Sequence, residues 1–279
     1  MASDPRTGPA PRTSVWLEDR PASRRRAPAR GRADGARDAA PGGPGGPDQV
    51  SGPDQPGGLD RGRITEAAVR LLDAEGLAKF SMRRLAGELG VTAMSVYWYV
   101  DGKDDVLELA MDAVAGEIEL PDPADTDTPW QDQLRRLATS YRAMFDRHPW
   151  LSRLMGGYLN IGPRAMEFAE AARRVTRRTG LPEPLLAGAM AALFQFVIGF
   201  AGVEANWNNR RAETGLTPDE FAGAVHAKVR DRPEYAHSLL VTAAPGEGGV
   251  EELRDRDFAV ALDCVVAGIE AMRPGPNGT

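Results

Sequence analysis

The sequence is short of almost everything that redox, metal or membrane chemistry would need. A single cysteine, Cys264, stands in 279 residues, so no internal disulfide can form. The three histidines, His148, His226 and His237, have no cysteine beside them and show no metal-ligand spacing. No metal and no cofactor are therefore expected. No stretch reaches the eighteen or so uninterrupted apolar residues of a bilayer span, and no apolar run follows the N-terminal charges. The expectation is a soluble, unexported, cytoplasmic protein with no membrane partner. Lysine is nearly missing, 3 against 31 arginines, a bias of codon usage in a GC-rich genome rather than of mechanism. Net positive charge is missing too: −6 overall, with a pI near 5.3. That excludes a general nucleic-acid binder, so any contact with DNA must come from a local patch.

What is present is helical. Residues 1–60 are dense in Pro, Gly and Arg and poor in large apolar side chains, a composition that cannot offset ordering entropy, so a disordered tail is expected there. Two features stand out in it: the apolar patch Val15, Trp16 and Leu17, which is suited to docking, and the arginines 24–26 with Arg30 and Arg32. Those arginines either touch DNA phosphate or are solvated, since nearby acids nearly cancel them. From Arg61 the pattern changes. Ile64, Ala68, Leu71 and Leu72 form a helical stripe that Gly76 stops. Ser81 can cap a second short helix carrying Met82, Leu85, Ala86 and Leu89 up to Gly90, and Thr92 can cap a third, Ala93 to Tyr99. Gly102-Lys103 opens a fourth. The polar, proline-punctuated stretch Pro121–Pro129 then breaks the pattern. Beyond it the spacing predicts helices over 130–147, 149–156, 162–179, 183–210, 217–231 and 252–272, with 243–249 as a loop and 274–279 as a disordered end. No credible strand run occurs. The fold class expected is all-α.

Two short helices meeting at Gly90 have the layout of a helix-turn-helix, whose second helix enters the major groove. The stretch LLDAEGLAKFSMRRLAGELGVTAMSVYWYVDGKDDVLELAMD resembles the N-terminal signature of the TetR (tetracycline repressor) family. The likeness rests on Ser81, Arg83, Leu85-Ala86, Gly90-Val91, Val96-Tyr97-Trp98-Tyr99, and Lys103 before Leu107. More loosely, Arg147–Leu151 and the terminal helix around Phe258, Leu262 and Gly268-Ile269 are similar to the C-terminal domain of tetracycline-repressor relatives. The resemblance implies a three-helix DNA-binding domain over 61–108 and a helical effector-binding and dimerisation domain over 109–273. It implies double-stranded operator DNA, a small-molecule effector and a second copy of the chain as partners.

Candidate site residues follow. The resemblance makes Lys103 a phosphate anchor, and a helix N-terminus already favours an anion there. It also gives Tyr97 a DNA contact and Arg83 a base or phosphate contact. Thr92, Ala93, Ser95 and Trp98 or Tyr99 face outward in some combination, with Val96 and Val100 in the core. The third helix has no Arg, Lys, Asn or Gln, so readout leans on Arg83 and DNA shape. His148, Met155, Tyr158, Phe168, Asn206 and Trp207 are candidates to line an effector cavity, with His148-Pro149 as a pivot. The run Ala187–Trp207 is apolar around most of a helix and carries small residues. With the terminal helix it suggests a four-helix bundle between subunits, through Phe196, Phe200, Phe258, Leu262, Val266 and Ile269. Glu204 on that run is expected to be satisfied by an arginine. The reading is a ligand-responsive transcriptional regulator, a repressor released from a palindromic operator. Its rivals are a ligand-independent DNA-binding nucleoid or division factor on the same fold, and a helical enzyme. The enzyme fares worst, because no phosphate loop, nucleophile elbow or paired metal motif is present.

Overall fold

Side-chain caps fix where the first helices begin. Asp60 accepts the Arg63 backbone N–H at 2.8 Å and starts α1 (Arg61–Glu75). Ser81 caps α2 (Met82–Glu88), and Thr92 caps α3 (Ala93–Tyr97). The corner between α2 and α3 is made at Gly90, whose φ of 67° is open to a residue without a Cβ. The computed structural model describes residues 14–17, 58–238 and 249–274. Among them every regular element is a helix: α4 (Lys103–Ala115), α5 (Trp130–Arg147), a 3-10 helix at Pro149–Arg153, α6 (Pro163–Arg177), α7 (Glu183–Ala212), α8 (Pro218–Val229), a 3-10 turn at Pro233–Tyr235, and α9 (Gly249–Ala271).

The head is built by closing α1, α2 and α3 on α4. Ile64, Leu72, Leu85, Val96, Val100 and Val106 are essentially sealed from solvent, each such burial stabilising by ~1.5–3 kcal/mol. Arg61 donates from Nε to the Tyr99 carbonyl at 3.0 Å and ties the two ends of the head together. α4 then runs without a break into the body, packing on α1 and on α6. There the stripe Leu134, Leu137, Tyr141 and Phe145 of α5 meets α6, α7 and α9.

α7 is long and apolar enough, by length and composition, to cross a membrane. Its inner face behaves as a core helix: Leu186, Ala189, Leu193, Val197 and Ala201 are buried. Glu204 is met by Arg142, with Nη2 2.7 Å and Nε 3.2 Å from its carboxylate oxygens. The same guanidinium reaches Asp255 at 2.9 Å and lies over the rings of Phe200 and Phe258. The arginine partner expected for Glu204 is thus Arg142.

Three sequence expectations change. The helix expected over 149–156 is a 3-10 segment ending at Arg153, and Gly156, at φ 84°, turns the chain beyond it. α9 begins at Gly249 rather than 252, because Asp219 on α8 accepts the Val250 N–H at 2.8 Å, a cap supplied by another helix. Residues 243–248 of the expected loop lie outside the described residues. So do most of the first sixty residues, the arginines 24–32 included, and residues 275–279. Within the expected tail, however, Ser14–Leu17 form a turn seated on α4, with Ser14 buried.

Candidate nucleic-acid interface and effector site

α2 and α3 leave a cluster of side chains in solvent. Met94 (69% exposed), Trp98 (68%) and Tyr97 (43%) project from α3 and its cap, while Val96 and Val100 are sealed beneath. Exposed apolar groups of this size on so small an element suit base edges and thymine methyls. Met94 lies one helical turn before Trp98, so its outward place was legible from the spacing, yet the sequence reading passed over it. Thr92 and Ser95 are partly occupied with each other: Thr92 Oγ1 accepts the Ser95 N–H at 3.2 Å, and the two hydroxyls are 2.9 Å apart. Ala93 is half-buried beside them.

The arginines of α2 divide cleanly. Arg84 forks onto Glu75 of α1, Nε lying 3.1 Å from both carboxylate oxygens, and that hydrogen bond holds Glu75 below its ordinary range. Arg83 is exposed and has no ion pair among the described residues. Among the described residues it is a free cation next to α3. Lys103 is less free than the sequence implies. Its ammonium donates to the Phe80 carbonyl at 3.1 Å and sits over the Phe80 ring, while Asp104 and Asp105 already occupy the first turn of α4. Lys103 therefore offers phosphate its remaining N–H donors from a pinned position, against local acidic charge.

The residues expected to line one effector cavity are scattered. His148 is buried with both ring nitrogens engaged: Nδ1 is 2.8 Å from Asp73 of α1, and Nε2 is 3.1 Å from Glu117 beyond α4. Trp150 Nε1 donates to the same Asp73 oxygen at 2.7 Å. His148 thus belongs to the joint between head and body, and no ring nitrogen is left for an effector. Burial raises the Glu117 carboxyl, but hydrogen bonds from His148 and Arg147 outweigh this and hold it below its usual range. Tyr158 donates to Asp104 at 2.8 Å at the start of α4, and burial together with that bond pushes its phenol up to about 12. Met155 is half-buried against the core, Trp207 stands against Phe221 of α8, and Asn206 is exposed.

Phe168 alone lies in a cluster of aromatic rings. Its ring stacks on Tyr141 with centroids 4.9 Å apart and meets Phe194 edge-on at 5.0 Å, and Phe145 meets Tyr141 edge-on at 5.1 Å. Burial lifts the Tyr141 phenol well above its ordinary value, and its hydroxyl makes no hydrogen bond among the described residues. The sequence reading missed Tyr141, because on α5 it is one more member of an apolar stripe.

The residues expected between subunits are also redistributed. Phe258, Leu262, Val266 and Ile269 are each at most 3% exposed and fill the protomer's own core. Phe196 and Phe200 are half-buried and pack on Phe258 at 5.4 and 5.2 Å. The faces that α7 and α9 turn outward carry Gly188, Ala191 and Val203 (58% exposed) on one helix, and Val260 (59%), Cys264 and Ala267 on the other.

A helix-turn-helix head joined by one continuous helix to an all-helical body is the architecture of a class of DNA-binding regulator. The comparisons give the family. Residues 64–110 match the model for bacterial regulatory proteins of the tetR family, and residues 121–273 match the tetracyclin repressor-like C-terminal domain. An HTH-type transcriptional regulator of Saccharopolyspora erythraea is 33% identical over 215 residues, 76% of this chain and 87% of its own length. The HTH-type transcriptional repressor DrrR1 of Streptomyces coeruleorubidus is 39% identical over 160 residues, 57% of this chain and 58% of the repressor. ActR of Streptomyces coelicolor in complex with actinorhodin superposes with a TM-score of 0.63 at 31% identity, covering 76% of this chain and 96% of ActR. The chain belongs to the TetR family and is a helix-turn-helix transcriptional regulator.

Proposed function

We propose that the protein is a cytoplasmic, homodimeric repressor that grips a pseudo-palindromic operator and is released when a small aromatic molecule enters its body. The observation that carries this reading is the exposed set Met94, Tyr97 and Trp98 with unpaired Arg83 beside it, on a head of known DNA-binding type. In this account residues 61–108 are the DNA-binding domain and 109–273 the effector and dimerisation domain. Tyr97, Trp98, Thr92, Ala93, Ser95 and Arg83 meet the groove and its edges, joined by Met94, and Lys103 steadies a phosphate. Two heads related by a dyad read half-sites about one helical turn apart. The dyad runs along the outward faces of α7 and α9, where Val203 and Val260 find partners in a four-helix bundle. No enzymatic step belongs to this reading.

The effector class is inferred from the ring cluster of Tyr141, Phe168 and Phe194: stacked and edge-on rings suit a planar aromatic guest, and the Tyr141 hydroxyl supplies one polar handle. The actinorhodin complex of ActR supports it. Release requires the effector to favour one spacing of the heads over the other, since equal affinity for both shifts nothing. The test is to titrate aromatic compounds into the protein–operator complex and follow fluorescence anisotropy. Saturable release by at least one compound, weakened about tenfold in Tyr141→Phe by loss of one buried hydrogen bond, is the expected result. Operator binding that no compound disturbs would favour a ligand-independent DNA-binding factor.

A further inference from the structure

Three carboxylates lie buried along one face of α4, at positions 105, 108 and 112, each at most 7% exposed. A buried carboxylate without donors costs several kcal/mol, so each needs partners. Asp105 accepts the Asp101 N–H at 2.7 Å, from the loop before its own helix. Asp112 accepts the Ala165 N–H at 3.0 Å and so caps α6. Glu108 is satisfied from far away in sequence: Ser14 donates its hydroxyl to Oε2, and the Val15 backbone N–H reaches the same oxygen at 3.1 Å.

The donor segment is built for the task. Leu17 N–H bonds back to the Ser14 carbonyl at 3.2 Å, and the Trp16 N–H is 3.2 Å from Ser14 Oγ, which closes a turn. Val15 and Trp16 pack against the apolar core, and Ser14 is only 4% exposed. Ser14 and Val15 also wall a cavity of about 520 Å³ with Asp104, Glu108, Tyr158 and Leu159. The helix they hold is the one packed on both head and body.

We infer that Ser14–Leu17 is an intramolecular docking peptide for the Glu108 face of α4, and that its occupancy sets operator affinity through that helix. The docking itself stands on the contacts above; its effect on DNA rests on the repressor reading. Linkage supplies the coupling: a segment that binds one placement of α4 better than another shifts the equilibrium between them, and whatever moves α4 changes the segment's occupancy in turn.

The test uses the full chain as wild type, as Ser14→Ala/Trp16→Ala, which changes no residue within a helix, and as Glu108→Ala. Amide hydrogen exchange over residues 14–17 is measured, with operator Kd on the same samples. Expected are slow exchange at Val15 in the wild type, acceleration of about tenfold in both variants, and operator Kd values moved about threefold or more in the same direction in both. Val15 exchanging in the wild type as fast as in an isolated peptide would overturn the docking. Protected exchange with operator Kd unchanged in both variants would overturn its role. A wild-type chain that binds no operator overturns the repressor reading instead, and exchange then decides the docking alone.

Discussion

Asp112 and Gly162 show how single positions fix one helix against another. The Asp112 carboxylate caps α6 from α4, and a Cβ at residue 162 would lie 2.2 Å from its Oδ1 and 2.7 Å from its Cβ. Turning the carboxylate cannot clear the second contact, so the helices themselves must part. Gly162→Ala is expected to lower unfolding free energy by ~1–3 kcal/mol, as overpacking does, measured by urea denaturation. Burial raises the Asp112 carboxyl above the usual aspartate range, with the Ala165 and Arg164 amides pulling the other way. A folded-state pKa above the unfolded value of about 3.9 means that the native state binds the proton more readily. This group's stabilising contribution is therefore complete at low pH and is lost as pH rises through the folded pKa. Asp112→Asn keeps an acceptor for Ala165 but removes the titration. Its stability relative to wild type should rise as pH is taken from 4 to 7, in urea denaturation at each pH. A difference that stays constant across that range would show the cap to be insensitive to ionisation.

At the scale of the elements, the sequence revealed the helices almost in full, since caps and apolar spacing are local. Ser81 and Thr92 start α2 and α3 as their side-chain chemistry predicts, and Asp60 does the same for α1, a cap the sequence reading did not name. What stayed hidden was the start of α9, capped by Asp219 of α8, and the 3-10 geometry after Pro149. The faces of α7 and α9 were hidden too, because both helices are apolar on more than one side and periodicity cannot say which side the protomer keeps. The bulky Phe258 and Leu262 went inward, leaving Val203, Val260 and small residues outside. The candidate site follows the same division. The outward positions of α3 were readable, whereas His148's two carboxylates, 75 and 31 residues away, and the rings that Phe168 and Phe194 bring to Tyr141 come from other elements. If the outward faces form the dimer, Val203→Glu with Val260→Glu places unpaired charges at its centre. Sedimentation velocity should then report a monomer where the wild type runs as a dimer. An unchanged sedimentation coefficient would move the interface elsewhere.

For the whole molecule, the charge of −6 confines DNA attraction to the head, so few phosphate contacts form and affinity should fall only gently with salt. Repression of a palindrome also demands two heads held at one spacing, which neither the head nor the body alone can supply. The most direct test is selection of duplex fragments from a random library by the full-length protein at near-physiological salt, with Tyr97→Ala and Val203→Glu/Val260→Glu in parallel. A dimeric repressor enriches an inverted repeat whose half-sites lie about one helical turn apart, weakened by the first variant and lost in the second. No enriched sequence, or a repeat retained equally by both variants, would contradict it.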